Sequence, residues 1–140
     1  MKKIIFAALI AALSMVAGSE AQAQVKQTVK DYVEVLYFHG KQRCVTCKAV
    51  GQYSKEVVEK DLATLTKQGK VRFREVDFST PEGEKIAGKY KVSFSGLFVS
   101  QWKGGKEKYE DLTRFAFQYA RTNTPKFKKD LTDKINRLLK

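Results

Sequence analysis

VEVLYFHGKQRCVTCKAV, residues 33–50, is the stretch on which the fold turns. Val33 to His39 is a dense apolar and aromatic run broken only by Glu34, the pattern of a buried strand. Gly40 to Arg43 reads as a loop. From Cys44 onward the period changes. Cys47, Val50, Tyr53, Val57, Leu62 and Leu65 recur at three- to five-residue intervals, which predicts a helix from Cys44 to about Lys67. Gly51 interrupts that helix at a cost of about 1 kcal/mol against Ala, with a bend as the expected consequence. Gln68-Gly69 closes it. The result is a strand, a short loop, and a helix whose first turn carries Cys44-Val45-Thr46-Cys47.

That placement has chemical consequences. A helix N-terminus offers unpaired N–H groups and partial positive charge, which favour a thiolate over a thiol. Lys41, Arg43 and Lys48 add positive charge nearby. Cys44 is therefore the candidate attacking sulfur. Cys47, one turn later and less exposed, is the candidate resolving sulfur. Other uses of the pair remain open. A purely structural disulfide across so short a loop would contribute only about 2 kcal/mol. Structural zinc needs four ligands, and His39 is the only further N/S donor. Copper(I) is the stronger rival, because soft thiolates select it, with Cys44, Cys47 and His39 as its ligand set. His39 itself is expected to be packed or hydrogen-bonded near the site. Tuning of the thiolate charge and ligation of copper are its alternative roles.

Downstream, Val71 to Phe78 reads as a second strand with Val71, Phe73, Val76 and Phe78 inward and an irregularity between Phe73 and Val76. Ser79 and Glu82 have capping-box spacing, with Pro81 in the first turn of a short helix to about Lys89. Leu97 to Trp102 is a third strand, Lys103-Gly104-Gly105-Lys106 a tight hairpin turn, and Glu107 to Asp111 a short edge strand. Leu112 to Ala120 is a helix. Another follows, capped by Thr124 with Pro125 at its first position, and Phe127, Leu131, Ile135 and Leu138 form its buried stripe. The first two strands are joined through a helix and should lie parallel, and the hairpin adds antiparallel pairing, so the sheet is mixed.

Upstream, Lys2 and Lys3, the apolar Ile4 to Ala17 and Ala21-Gln22-Ala23 make a signal peptide over residues 1–23 the expected reading. This run of fourteen residues, apolar but for Ser14, falls short of the ~20 that a spanning helix needs. No cysteine ends the apolar run, so a lipid anchor lacks its attachment residue. Residues 24–32 form a short polar lead and residues 33–140 one domain, in a remainder of 117 residues that suits a single core. The expected location is periplasmic or secreted, where the cysteine pair can cycle between dithiol and disulfide. The chain carries a net charge of +12. Its lysines are interspersed with acids and lack the aromatic interleaving of a nucleic-acid platform, so nucleic acid is not an expected partner. Weak association with an anionic membrane surface stays open. The expected partner is a protein thiol or disulfide, and the expected state a monomer.

The strand Val33 to His39, the C-V-T-C at a helix start and the following Lys48 resemble the thioredoxin superfamily. That resemblance implies a thioredoxin-like α/β domain with a mixed, mostly four-stranded sheet and helices on both faces. More closely, YFHGKQRCVTCKAV, Phe94-Ser95-Gly96-Leu97-Phe98-Val99 and TRFAFQYAR resemble small exported proteins of the nitrophenyl-compound nitroreductase subunit ArsF family, over about Val33 to Lys140. The chain has no flavin or nicotinamide motif, and the expected cofactor is none beyond the Cys44–Cys47 redox disulfide. By resemblance, Cys44 attacks and Cys47 resolves, while Phe94, Ser95 and Gly96 line the site where thioredoxins place a cis-proline. No proline stands there. The buried acid of thioredoxins falls at about Tyr37, and their preceding strand and helix are missing. Because the cis-proline discourages metal capture, its loss favours the copper alternative. The same gaps point to one dedicated partner rather than general disulfide reduction.

Overall fold

A strand with two apolar faces belongs in the middle of a sheet, and β1 (Tyr32–His39) occupies that place. The computed structural model describes residues 31–140. The expected signal peptide over 1–23 and all but the last two residues of the expected lead lie outside the described residues. The lead yields Tyr32 to β1. β1 pairs in parallel with β2 (Val71–Asp77) and antiparallel with β3 (Gly96–Lys103), which pairs antiparallel with β4 (Lys106–Asp111). The order is β2-β1-β3-β4. Gly104 and Gly105, at φ 58° and 75°, form the turn of the β3–β4 hairpin, where a side chain would be strained.

Val33, Val35 and Tyr37 face one core, closed by α1 (Val45–Glu56), α4 (Thr113–Tyr119) and α5 (Thr124–Leu138). Phe127, Leu131 and Ile135 of α5 are wholly buried there, each stabilising by about 1.5–3 kcal/mol, and Leu138 packs at the margin. Leu36 and Phe38 face the opposite way, under α3 (Pro81–Lys89), with Val76, Ala87, Tyr90 and Phe98. Helices therefore cover both faces of a four-stranded mixed sheet, the thioredoxin-like arrangement expected. Among the described residues no helix is long and apolar enough to cross a membrane.

Four local expectations need correction. The long helix is not continuous to Lys67. It passes through a π turn (Val57–Asp61) into α2 (Ala63–Lys67), with the Leu62 N–H donating to the Val57 carbonyl at 2.8 Å. The turn absorbs one extra residue, so that Val57, Val58 and Leu62 all reach the core. The four apolar residues of the second strand do not share one face: its pairing with β1 runs unbroken from Val71 to Asp77, and the irregularity between Phe73 and Val76 is a change of face. Val71 and Phe73 serve one core, and Val76 and Phe78 the other. The cap of α3 is Thr80 rather than Ser79. Thr80 Oγ1 accepts from the Gly83 N–H at 3.1 Å, while Ser79 donates to the Asp77 carboxylate. The cap of α5 is Asn123, whose Oδ1 accepts from the Lys126 N–H at 3.1 Å, while the Thr124 hydroxyl donates to the Ala120 carbonyl.

Candidate functional site

β1 delivers the chain to His39 and α1 takes it away at Val45, so Gly40–Cys44 crosses the end of the sheet. Cys44 is the N-cap, extended at φ −69° and ψ 165°, and its Sγ accepts from the Cys47 N–H at 3.0 Å. Its carbonyl accepts the first helical bond, from the Lys48 N–H at 3.0 Å. Cys44 is exposed, whereas Cys47 is only 7% exposed. The two sulfurs are joined as a disulfide with 5.0 Å between Cα atoms. The first turn of α1 contains no acid, so nothing opposes the positive end of the helix there. An exposed first cysteine and a less exposed second one is the division that the sequence implied.

The structure gathers His39 and Arg43 behind this pair through Glu75, which sequence reasoning missed. His39 is 5% exposed. Its Nε2 lies 2.9 Å from Glu75 Oε1, and its Nδ1 lies 2.9 Å from the Gly40 carbonyl oxygen. Arg43 Nη1 donates to the same Glu75 oxygen at 2.8 Å. Glu75 reaches them because β1 and β2 run parallel in register, Tyr37 opposite Glu75 and His39 opposite Asp77. The break in apolar alternation between Phe73 and Val76 was the available signal. His39 is thus packed and hydrogen-bonded beside the site, with both ring nitrogens already facing oxygen. Among the described residues no group of three or more His, Cys, Asp or Glu side chains is placed to hold a metal ion.

Tyr37 is the position at which the sequence resemblance put the buried acid of thioredoxins. It is wholly buried, and its ring lies 5.3 Å from that of His39. Burial pushes its hydroxyl above the ordinary tyrosine range, and the nearby Arg43 charge pulls the other way. Its ring fills the space where a side chain at Gly51 would stand, 2.5 Å from Cε1 to an ideal Cβ. Gly51 is therefore a close-approach position, and α1 runs through it without a break.

Phe94 and Ser95 lie in the bend that leads into β3, which begins at Gly96. Gly96 pairs with Phe38, which sets this segment beside the end of β1 that leads to the cysteines. Thr113 Oγ1 accepts from the Leu97 N–H at 3.1 Å and leaves no room for a side chain at Gly96. Phe94 is 81% exposed, Ser95 half-buried and Lys48 exposed. Of the residues expected at the site, His39, Arg43, Cys44 and Cys47 form one continuous corner. The Phe94–Gly96 segment borders it through strand pairing.

No protein-family model and no curated protein matches the chain, so the narrower resemblance to the ArsF family gains no support. Solved structures do match. A thioredoxin from Thermus thermophilus is 19% identical over 73% of this chain and 72% of its own, with a TM-score of 0.46. A thioredoxin from Fasciola hepatica is 23% identical over 76% and 80% of the two chains, with a TM-score of 0.42. A thioredoxin from Arabidopsis thaliana in its oxidized state is 22% identical over 57% and 63%, with a TM-score of 0.39.

Proposed function

We propose that this chain is an extracytoplasmic thiol–disulfide oxidoreductase that works through Cys44 and Cys47 on a dedicated protein partner. The observation that carries the reading is the capping contact. Cys44 is an exposed residue whose sulfur receives an N–H hydrogen bond at 3.0 Å at an acid-free helix tip, with Cys47 shielded behind it. A hydrogen-bond donor and a helix dipole both favour the ionised sulfur, which is the nucleophile in disulfide exchange.

In the reducing direction, the Cys44 thiolate attacks one sulfur of a partner disulfide. The Cys44–partner bond forms, the partner's S–S bond breaks, and the departing thiolate takes a proton. Cys47, deprotonated in turn, attacks Cys44 Sγ. That closes the Cys44–Cys47 disulfide and releases the second partner sulfur. Two electrons have moved from the dithiol to the partner. Run backwards, the same steps oxidise a partner dithiol. No cofactor is needed in either direction.

The N-terminal Lys2, Lys3, Ile4–Ala17 and Ala21-Gln22-Ala23 pattern supports export to the periplasm or beyond. We read the protein as a monomer. Its Cys47→Ser variant should accumulate mixed disulfides through Cys44 in cells, visible on non-reducing gels and lost on reduction. Absence of any such adduct would sink the reading. Mass spectrometry of the exported protein should place Gln24 first, and retention of residues 1–23 would overturn the processing step.

A further inference from the structure

Three large apolar side chains are exposed among the described residues: Val45 at 67%, Phe94 at 81% and Tyr109 at 45%. Tyr109 has a ring partner, Tyr90, at 4.8 Å. The other two border the candidate site. Val45 lies between the cysteines, and Phe94 is carried to the end of β1 by the Gly96–Phe38 pairing. An exposed apolar pair at a reactive sulfur is a feature of a surface that another molecule covers.

The two chain segments that carry this pair bear charge of one sign. Gly40 to Lys55 contains Lys41, Arg43, Lys48 and Lys55 and no acid. Lys85 to Gly96, the stretch that carries Phe94, contains Lys85, Lys89 and Lys91 and no acid, with Lys89 paired to Glu107. Lys41, Lys48 and Lys91 are exposed and form no ion pair among the described residues. The acids at this end of the sheet are occupied. Glu75 is held by His39 and Arg43, Asp77 accepts from Ser79, and Asp111 accepts from the Thr113 N–H at 2.8 Å.

We infer that the Cys44 face selects a polypeptide whose cysteine is flanked by acidic residues and an apolar side chain, the apolar group covering Val45 and Phe94 and the acids meeting Lys41 and Lys48. This rests on the disulfide-exchange reading and specifies its partner. A second copy of this chain does not fit, because its own site would present like charge. Opposite charge steers encounter and raises the association rate, an effect that salt suppresses.

The test uses the full chain in its reduced form and three disulfides. Two are peptides of identical length with one apolar residue beside the disulfide, flanked by Asp in one and Lys in the other. The third is the small, uncharged 2-hydroxyethyl disulfide. At about 0.01 M salt, where charges act over ~30 Å, the Asp-flanked peptide should react roughly tenfold faster than the Lys-flanked one. At about 1 M salt the range falls to ~3 Å and the ratio should approach one. Lys41→Gln with Lys48→Gln should shrink the low-salt ratio. Phe94→Ser, at an exposed position, should slow both peptides about fivefold.

Equal peptide rates at low salt, with 2-hydroxyethyl disulfide still reduced, would overturn the partner inference and leave exchange standing. Equal rates together with Lys41- and Lys48-dependent binding to phosphatidylglycerol vesicles would overturn it in favour of a membrane surface. No reaction with any of the three would remove the exchange reading beneath it.

Discussion

The tips of α1 and α3 share one geometry built from different atoms. Cys44 Sγ accepts from the Cys47 N–H at 3.0 Å, and Thr80 Oγ1 accepts from the Gly83 N–H at 3.1 Å. Each cap satisfies a donor that the helix leaves open. Around the caps the two tips diverge. α3 has Glu82 and Glu84 in its first turn, which answer its dipole locally, whereas α1 has no acid there. A hydroxyl among carboxylates only stabilises the helix. A sulfur at an unanswered positive tip, exposed to another molecule, can also gather negative charge. The difference between a structural and a chemical helix start lies in the capping atom and the neighbours withheld from it.

The largest expected effect comes from making the first tip resemble the second. Cys44→Ser exchanges the sulfur for a good capping hydroxyl, so exchange with any disulfide should fall to background. The reduced variant should unfold within about 1 kcal/mol of the reduced parent, because serine caps at least as well. Denaturation of both proteins under reducing conditions, beside a disulfide-exchange assay, checks the two halves. Surviving activity would break the comparison.

The two helices also need glycine for different reasons, and the next two effects separate them. A Cβ at Gly83 would lie 1.8 Å from the Asp77 carbonyl oxygen, a backbone atom that cannot turn aside. Gly83→Ala should therefore cost at least the upper end of the ~1–3 kcal/mol typical of overpacking. At Gly51 the obstacle is the Tyr37 ring, fully buried but still a side chain. Helix propensity alone would make Gly51→Ala a gain of about 1 kcal/mol. The clash should reverse that sign and leave a net loss of about 1–2 kcal/mol. Urea denaturation of both variants would order them, and a stabilised Gly51→Ala would show that Tyr37 yields freely.

Much of this was legible in the residues, and the reasons are physical. β1 could be read because an apolar run in both parities has one home, the centre of a sheet. The site could be read because two cysteines one helical turn apart, after a strand and loop, place one sulfur out and one in. Glu75 could not. It depends on the register between β1 and β2, and its partners His39 and Arg43 lie more than thirty residues away in the chain. The π turn at Val57–Asp61 was hidden because the Val57-to-Leu62 spacing also suits an imperfect α-helical stripe. Ser79 and Thr80 are equivalent as text. What separates them is the Asp77 carboxylate, which binds the Ser79 N–H at 2.9 Å and its hydroxyl at 2.6 Å. Those bonds also draw the Asp77 carboxyl below the ordinary carboxylate range.

The smallest effect isolates the structural cap. Thr80→Ala removes the bond from the Gly83 N–H and the 2.8 Å bond that the hydroxyl donates to the Asp77 carbonyl. Loss of an N-cap costs about 0.5–2 kcal/mol, and the second bond places this site toward the middle of that range or above. Thr80→Ser keeps both bonds and should recover most of the loss. Because the Thr80 tip carries no sulfur, exchange at Cys44 should keep its full rate. An exchange rate that fell in step with stability would mean that the two tips are coupled through β2, whose end leads from Glu75 and Asp77 to Thr80. In that event the acid-free tip of α1 would not be sufficient by itself to explain the reactivity of Cys44.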